Sequence, residues 1–185
     1  MAKKIITREQ IVQSACELVA EVGMDGLNMR ELAKRCNCST QPIYLSFKNA
    51  DELKHEILKQ IIECYNQYIA QEIASNKYPE YKASGMGYIR FAKEQPQFFK
   101  YLFMRDRSNE TTNEMEMVFE REAERVMQYG INHDTAIAIH THMWVYVHGI
   151  ATNYATGFLN WDWDTVNNML NEMFMGIFSR YKEEK

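Results

Sequence analysis

The sequence predicts an all-α protein of about nine helices, on three observations. Its 185 residues include only 8 Gly and 3 Pro, too few for the many turns of a β-sandwich or barrel. Apolar residues recur every three or four positions through most of the chain, which is the spacing of a helix with one buried face. Several of these stretches begin at a residue that favours helix starts. A chain of this length also buries a core without disulfides or metals.

The first predicted helix begins after Thr7 and ends near Gly23. Thr7 and Gln10 have the spacing of a capping box, in which each side chain accepts a hydrogen bond from the other residue's backbone N–H. Gly23 and Gly26 then end the helix and turn the chain. The apolar stripe of this helix is formed by Ile11, Val12, Ala15, Leu18, Val19 and Val22.

Two short helices follow. Asn28, with Glu31 three residues later, is predicted to cap the second helix. The apolar face of that helix is formed by Leu32, Ala33 and Cys36. After a break of about three residues, Ser39 is predicted to cap a third helix over residues 40–47. Pro42 is tolerated in its first turn, where no intrahelical N–H is required.

A fourth, longer helix is predicted to begin at Asn49, which has Glu52 three residues later, and to run to Ala74. The remaining helices are predicted at residues 81–94, 96–104, 110–129, 134–157 and 163–182. We expect Asp134 and Asp164 to cap the last two, because aspartate favours helix starts.

The second and third helices have the pattern of a helix-turn-helix. The third helix would have to enter a major groove about 12 Å wide, so its outer residues must form hydrogen bonds and must not be bulky. Ile43 and Phe47, four residues apart, are expected to face inward and fix its angle. Ser39 at its start favours phosphate. The outward residues that can meet base edges or phosphates are Thr40, Gln41 and Ser46.

The residues around this motif make it specific. The first run is Ile11, Ala15, Leu18, Val22, Gly23, Gly26, Leu27, Met29, Leu32 and Ala33. The second run is Cys38, Ser39, Ile43, Tyr44, Phe47, Lys48, Asn49, Glu52 and Leu53. Together, over residues 7–58, they closely resemble the DNA-binding domain of the TetR (tetracycline-repressor-like) family of transcriptional regulators. Gln41, Pro42 and Tyr44 are similar to the recognition helix of the tetracycline repressors themselves.

The resemblance implies roles for individual residues. Tyr44 matches an aromatic residue that contacts the DNA backbone, and Lys48 matches the phosphate-binding lysine at the start of the fourth helix. Asn28 and Met29 match the start of the second helix, which often reaches phosphate. The residues expected to contact DNA are therefore Asn28, Met29, Ser39, Thr40, Gln41, Pro42, Tyr44, Ser46 and Lys48.

The resemblance also implies a domain plan and a function. Residues 1–50 would form the helix-turn-helix domain, and residues 51–185 a helical domain for ligand binding and dimerisation. The expected protein is a homodimeric repressor, which binds operator DNA and is released by an unidentified apolar or aromatic small molecule. No cofactor and no metal are expected.

Trp144, His148 and Gly149 resemble the Trp-His-Gly signature of one class of TetR C-terminal domains. Trp144 and His148 lie one helical turn apart and share a face, either as a packed core pair or as a wall of an effector cavity. The chain is rich in aromatic residues and methionine, which suits a cavity for a flat apolar ligand, although most of these residues fit a core equally well. The residues expected to line the cavity are Tyr65, Tyr68, Tyr88, Phe91, Phe99, Phe103, Phe119, Trp144 and His148.

The last two predicted helices carry apolar stripes wider than one neighbour can cover. A monomer would leave much of this apolar surface exposed. The stripes therefore predict a two-fold four-helix bundle between two chains. The residues expected at this interface are Val147, Ile150, Tyr154, Phe158, Leu170, Met173, Phe174, Ile177 and Phe178.

Charge is unevenly distributed along the chain. Residues 1–48 contain seven Lys and Arg against five Asp and Glu, a net +2, whereas residues 49–185 contain fourteen against twenty, a net −6; the formal total is −4. A mildly basic front suits an approach to nucleic acid, and an acidic body does not.

Other classes of protein fit less well. No apolar stretch of about 18 residues is present, so no membrane span is expected. The start of the sequence has no signal-peptide apolar region, and the four cysteines are expected to be free thiols in the reducing cytoplasm. His140 and His142, two positions apart on a helix, would point in different directions and would not bind one metal ion.

Two alternatives stay open. A di-iron enzyme on a helical bundle needs two Glu-x-x-His motifs, and only Glu52 and His55 have that spacing, with Glu52 better explained as part of a helix cap. The other alternative keeps the fold but not the ligand response: a DNA-binding or protein-binding module without a regulatory role.

Overall fold

The computed structural model describes residues 6–106 and 113–183, with side chains placed for residues 6–106 and 117–181. Over these residues the protein is all-helical, as the sequence predicted. The nine described α-helices are α1 (Arg8–Val22), α2 (Met29–Arg35), α3 (Gln41–Ser46), α4 (Ala50–Ala74), α5 (Glu80–Glu94), α6 (Pro96–Phe103), α7 (Asn113–Met127), α8 (His133–Thr156) and α9 (Trp163–Glu183). The predicted start of the seventh helix, residue 110, lies outside the described residues.

The helices form two compact units. The first comprises Met1–Asn66 and Gln95–Arg105, and the second comprises Gln67–Glu94 and Asp106–Lys185. The first unit extends past residue 50, the boundary predicted from the sequence, because part of α4 and all of α6 pack with α1–α3. Within the described residues, no helix has the length and apolar character needed to cross a bilayer.

The first unit begins with the predicted capping box, which is confirmed. The backbone N–H of Gln10 donates to Oγ1 of Thr7 at 3.2 Å, and that of Thr7 donates to Oε1 of Gln10 at 3.0 Å. Gly23 ends α1 with φ of +79°, a conformation that favours glycine. The core of this unit includes Ile11, Val12, Ala15, Leu18, Val19, Leu32, Ala33, Ile43, Phe47, Leu53, Ile57 and Ile61.

The starts of α2 and α4 agree with the predicted caps. Oδ1 of Asn28 accepts the backbone N–H of Glu31 at 2.9 Å, and Oδ1 of Asn49 accepts that of Glu52 at 2.8 Å. The carboxylate of Glu52 accepts the backbone N–H of Lys48 in return, at 2.7 Å. Glu52 therefore serves as a capping residue, as the sequence suggested.

The predicted Ser39 cap on α3 is wrong. The helix begins at Gln41, after Thr40, and no side chain caps it. The reason is Pro42, which has no N–H: counted from Ser39 it occupies the third helical position, where a cap would find its donor. The carbonyl of Thr40 instead accepts the N–H groups of Ile43 and Tyr44, at 3.1 and 3.2 Å.

The second unit consists of the end of α4 with α5, α7, α8 and α9. The helix α5 lies close to the end of α4 at Gly87, where a Cβ atom would be only 3.0 Å from the carbonyl oxygen of Tyr68. A larger residue there would separate the two helices. Core residues from α5 and α8 include Ala83, Met86, Ile89, Phe91, Ala136, Ile139, Met143, Val147, Ile150 and Ala151.

The predicted caps of the last two helices are both wrong by two residues. Asn132 caps α8 by accepting the N–H of Thr135 at 2.9 Å. Asp162 accepts the N–H of Thr165 at 2.8 Å, at the start of α9. Asp134 and Asp164 lie inside the first turns, where their charges still favour the helix N-terminus.

The end of α8 also differs from the prediction. The helix ends at Thr156, and Gly157 follows with φ of +70°. Phe158 therefore lies beyond the helix and is 79% exposed, so it does not continue the apolar stripe on which the sequence placed it. A glycine in the left-handed conformation ends the helix before Phe158 can join that stripe.

Candidate DNA-binding surface

The helix α3 has a buried face that fixes its position. Ile43 and Phe47, the two residues predicted to face inward, are both almost fully buried. They pack in the core of the first unit, where α3 contacts α1. Because these side chains lie one turn apart, they hold a helix of only six residues at one angle.

The opposite face of α3 is exposed to solvent. Tyr44 is 61% exposed and Leu45 is 80% exposed; Gln41 and Lys48 are exposed as well. Tyr44 and Leu45 lie three and four residues after Gln41, so they share one side of the helix with it; Lys48 lies beyond the end of the helix, in the turn before α4. These side chains could meet base edges and the neighbouring phosphates.

Leu45 was missed by the sequence reasoning, which looked for polar groups on this face. Its position four residues after Gln41 was the available signal. An exposed leucine is ordinary on a protein surface, but here it lies on the outer face of the second helix of a helix-turn-helix. In a major groove, such an apolar side chain can contact the methyl group of thymine.

The other residues predicted to contact DNA differ in their exposure to solvent. Ser39 is exposed, and Thr40, Pro42 and Met29 are half-buried. The Ser46 hydroxyl donates to the carbonyl of Pro42 at 2.9 Å, so its hydrogen is used within α3. The side chain of Asn28 is exposed but is also the cap of α2.

Some basic residues of this region are already paired with carboxylates, and others are not. Lys34 pairs with Glu31 at 2.6 Å, and Arg35 pairs with Glu21. Over the part of the chain that the structure describes, Arg30 and Lys48 make no ion pair. Lys48 is exposed in the turn between α3 and α4, directly after the end of α3.

Arg8 is a positioning residue that the sequence did not reveal. Its Nη1 donates to the carbonyl of Ser46 at 2.5 Å, at the C-terminal end of α3, where a positive charge is favoured. The same guanidinium lies over the ring of Phe47, 4.2 Å from the centroid. It also forms an ion pair with Glu52 at 3.0 Å. Arg8 thus connects α1, α3 and α4.

The electrostatics of Glu52 agree with this arrangement. The backbone N–H of Lys48 lowers the pKa of Glu52 most, and the Arg8 guanidinium lowers it further. The carboxylate therefore stays ionised and keeps both contacts at neutral pH.

The aromatic residues predicted to line one cavity fall into both compact units. Tyr65, Phe99 and Phe103 belong to the first unit, with ring centroids 5.5 Å apart for Tyr65 and Phe103 and 5.2 Å for Phe99 and Phe103. The other six belong to the second unit. There Tyr68 and Phe91 meet edge to face at 5.5 Å.

Trp144 and His148 are brought together as the sequence predicted. Their rings are stacked, with centroids 5.2 Å apart and planes 17° apart. Phe119 of α7 lies 5.6 Å from Trp144, and the hydroxyl of Tyr88 lies 2.9 Å from Nδ1 of His148. Burial lowers the pKa of His148, which favours the neutral ring.

Two family models match separate parts of the chain. Residues 11–57 match the family described as bacterial regulatory proteins, tetR family. Residues 81–174, just over half of the chain, match the tetracyclin repressor-like C-terminal domain. The chain belongs to the TetR family.

Individual relatives of this TetR-family protein agree with that assignment. It is 29% identical over 90 residues to an uncharacterized HTH-type transcriptional regulator of Haemophilus influenzae. The match covers 48% of each chain, so it spans about half the length of that curated relative.

Two solved structures share the TetR fold with this protein. One is a TetR-family transcriptional regulator from Vibrio parahaemolyticus, with a TM-score of 0.63, 18% identity and coverage of 91% of this chain and 97% of that one. The other is a TetR-family regulator from Haemophilus influenzae, with a TM-score of 0.64, 18% identity and coverage of 90% and 93%. At this identity the likeness shows the fold.

The TetR family makes this protein a transcriptional regulator whose α2 and α3 form a DNA-binding helix-turn-helix. The relatives found are described as transcriptional regulators. Glu52 and His55, the one pair with di-iron spacing, belong to the start of α4, and no cluster of three metal-ligating side chains occurs within the described residues.

The residues predicted at the dimer interface of this TetR-family protein differ in their burial within the single chain. Val147, Ile150, Tyr154 and Leu170 are buried within the single chain, because α5 and α9 pack on α8. They leave little surface for a second chain. The half-buried members are Met173, Phe174, Ile177 and Phe178.

Other residues occupy the outer faces of α8 and α9. Val145 and Met175 are exposed. Gly149 lies four residues after Val145, and Gly176 directly follows Met175. At either glycine, an added Cβ atom would have no other atom within 4 Å apart from the backbone of its own helical turns. These outer faces combine apolar side chains with positions where another helix could approach closely.

Proposed function

We propose that this TetR-family regulator is a repressor that binds a palindromic operator as a homodimer and dissociates when a small aromatic molecule binds to its second unit. The exposed outer face of α3 is the observation that carries the proposal. A surface of Gln41, Tyr44 and Leu45, with Lys48 at its end, has the chemistry for both bases and phosphates.

Each residue of this surface has its own proposed role. Gln41 reads a base edge, since a glutamine amide both donates and accepts. Leu45 contacts a thymine methyl. Tyr44 and Lys48 contact phosphates, which position the helix without reading sequence. Ser39, Thr40 and Pro42 lie near the start of α3 and approach the same strand.

The dimer is proposed to form through the outer faces of α8 and α9. Val145 and Met175 would be covered there, and Gly149 and Gly176 would let the backbones approach closely. Two such faces build a two-fold four-helix bundle. The two copies of α3 would then read half-sites about one helical turn apart. We propose that the protein acts in the cytoplasm, where its operator lies.

The proposed response to ligand uses the continuity of α4. This helix contributes residues up to Asn66 to the first unit and residues from Gln67 onward to the second. A change at its second half is therefore transmitted along an unbroken helix to the DNA-binding unit. A coupling of about 1–3 kcal/mol between ligand and operator is enough for regulation.

Fluorescence anisotropy with labelled DNA from upstream of the protein's own gene tests the DNA-binding part. The assay should contain about 0.15 M salt and excess competitor DNA, because affinity depends steeply on salt. We expect saturable binding of two chains per site, tighter than about 10⁻⁷ M. A selection from fragmented genomic DNA covers operators elsewhere; if no fragment is enriched, the protein does not read sequence.

A ligand screen in the same assay separates a regulator from a module without regulation. We expect an aromatic effector to release the DNA. A compound that raises the melting temperature but leaves DNA affinity unchanged would favour the module instead.

A further inference from the structure

A buried hydrogen bond joins α5 to α8 within the second unit. The hydroxyl of Tyr81 lies 3.1 Å from Nδ1 of His140, and His140 is only 6% exposed. Burial lowers the pKa of His140 to about 4, although the charge of Glu122 acts in the opposite direction. The imidazole is therefore neutral at physiological pH and carries one N–H and one lone pair.

The hydrogen bond with Tyr81 decides which nitrogen carries the proton. The Tyr81 side chain is buried and its hydroxyl makes no other hydrogen bond within the described residues. With the proton on Nδ1, both the hydroxyl hydrogen of Tyr81 and the lone pair of Nε2 would lack a partner, whereas with the proton on Nε2 only Nε2–H lacks one, so the second tautomer leaves fewer buried groups unpaired. Tyr81 therefore donates to Nδ1, and the ring proton of His140 is on Nε2.

Nε2 of His140 is consequently a hydrogen-bond donor that needs an acceptor. Among the described residues, Nε2 of His140 is the one buried side-chain nitrogen or oxygen atom that has no hydrogen-bond partner. Buried polar groups in folded proteins are almost always paired. A buried donor left unpaired in this way calls for an acceptor that the described residues do not supply, such as an oxygen atom of a bound molecule.

Aromatic rings of α7 and α8 lie beside this donor. Phe119 meets the ring of His140 edge to face, with centroids 4.6 Å apart, and Phe119 in turn contacts Trp144 at 5.6 Å. Trp144 is stacked on His148. Phe119 contacts His140 directly, and Trp144 and His148 continue this aromatic row along α8; all three side chains are half-buried.

The charged groups nearby limit what can bind. Glu122 of α7 is buried, accepts a hydrogen bond from the Ser84 hydroxyl at 2.7 Å, and forms an ion pair with Arg125. The positive charge of Arg125 is therefore already paired with this carboxylate. An anionic ligand would find no positive charge on His140, whose ring is neutral, and would lose its hydration in a buried site.

We propose that Nε2–H of His140 is the specificity-determining donor of the effector site, and that the effector is a neutral, flat aromatic molecule with an acceptor oxygen such as a carbonyl. This inference rests on the proposed function as a ligand-responsive regulator and names the chemical class of its ligand. In this proposal the ring system of the effector packs against the aromatic row of Phe119, Trp144 and His148. Nε2–H of His140 donates a hydrogen bond to its oxygen.

Three naphthalene probes of similar size test the proposal. 2-Acetylnaphthalene has the acceptor oxygen, 2-isopropylnaphthalene lacks it, and 2-naphthoate adds a negative charge. Isothermal titration calorimetry with the full chain gives the affinity of each. We expect the ketone to bind about 5- to 100-fold more tightly than the hydrocarbon, since it satisfies a buried unpaired donor, and the naphthoate to bind most weakly.

His140→Phe should remove the preference, so that ketone and hydrocarbon bind equally. His142→Phe is the matched control, because His142 lies on the same helix but is exposed; it should leave the preference unchanged. Because His140→Phe could disturb folding, NMR of the unmodified protein with ¹⁵N-labelled histidine gives a second test. There the Nε2–H tautomer of His140 should be seen, and its resonance should move with the ketone but not with the hydrocarbon.

Several outcomes would overturn the inference. Equal affinity for ketone and hydrocarbon would mean that the face of the Phe119 ring already satisfies the donor. Tighter binding of the naphthoate, or no saturable binding of any probe below about 1 mM, would also contradict it. Operator binding by the ligand-free protein is measured separately by anisotropy, so absence of that binding together with retained ketone selectivity would instead count against the proposed function.

Discussion

The guanidinium of Arg8 lies 4.2 Å from the centre of the Phe47 ring and donates to the carbonyl of Ser46 at 2.5 Å. One side chain from the start of α1 thus covers both the buried face and the C-terminal end of the DNA-reading helix. The position of α3 therefore depends on a residue that belongs to another helix, α1.

Replacing Arg8 should reveal this dependence. We expect Arg8→Met to lower the free energy of unfolding by about 1–2 kcal/mol, since it removes a charged hydrogen bond and a cation–π contact, and to weaken binding to every operator sequence. Urea unfolding and anisotropy measure the two effects. Gln13→Met, on the exposed face of α1, should change neither, and unchanged DNA affinity in the Arg8 variant would contradict its positioning role.

Lys48 and Gln41 should respond differently to substitution by alanine. Lys48→Ala should weaken binding to all sequences about equally and make the slope of log affinity against log salt shallower by about 1, since one phosphate contact is lost. A series of anisotropy titrations at several salt concentrations measures this slope. An unchanged slope would show that Lys48 remains solvated in the complex.

Gln41→Ala should change base preference and leave the salt slope alone. A glutamine that reads one base contributes about 1–3 kcal/mol of discrimination at that position. Selection of binding sites from a randomised operator should therefore show relaxed preference at one position in each half-site. If the selected sequences match those of the original protein, Gln41 does not read a base.

The stability of the protein should fall between neutral pH and pH 5 partly because of His140. Its folded pKa of about 4 lies below the ordinary value of 6.5, so the unfolded chain takes up a proton first as the pH falls. The stability that the neutral ring contributes is present above pH 6.5 and is lost as the pH falls toward 4. At pH 5 the loss is about 2 kcal/mol.

Urea unfolding at pH 7.5 and pH 5.0 measures this effect. Other groups also titrate over this range, so the comparison is with His140→Phe, whose stability should fall by about 2 kcal/mol less. Equal losses in both proteins would mean that His140 does not have a depressed pKa.

The proposed dimer can be tested at Gly149. No atom lies within 4 Å of an added Cβ there, so Gly149→Glu should leave the folded chain intact. In the dimer it would bury an unpaired charge and weaken association by at least about 100-fold. Analytical ultracentrifugation measures the oligomeric state. Gln128→Glu, exposed elsewhere on the same unit, is the control, and a Gly149 variant that remains dimeric would move the interface to another face.

The sequence predicted the elements whose causes are local. The Thr7 and Gln10 capping box and the bounds of α4 were correct because each depends on residues within one or two turns. The Ser39 cap failed for a local reason too: Pro42 removes the donor that such a cap would use. The class of the fold followed from composition and from helical spacing alone.

Contacts between distant residues could not be predicted in the same way. Arg8 reaches Ser46 across 38 positions, and Tyr81 reaches His140 across 59; nothing in the local pattern indicates either pair. For the same reason the apolar stripe of α8 was assigned to a partner chain, although α5 and α9 bury Val147 within the protomer. Leu45 was missed because only polar residues were considered for the outer face of α3.

The residues of α3 differ in how well the fold tolerates their substitution. A smaller residue at Ile43 leaves a void in the core and costs several kcal/mol, so that position preserves the domain. Leu45 is 80% exposed in the folded chain, so replacing it changes the free energy of unfolding very little. With the roles proposed for Gln41 and Leu45, substitutions at these two positions would change the preferred operator without first requiring a more stable scaffold.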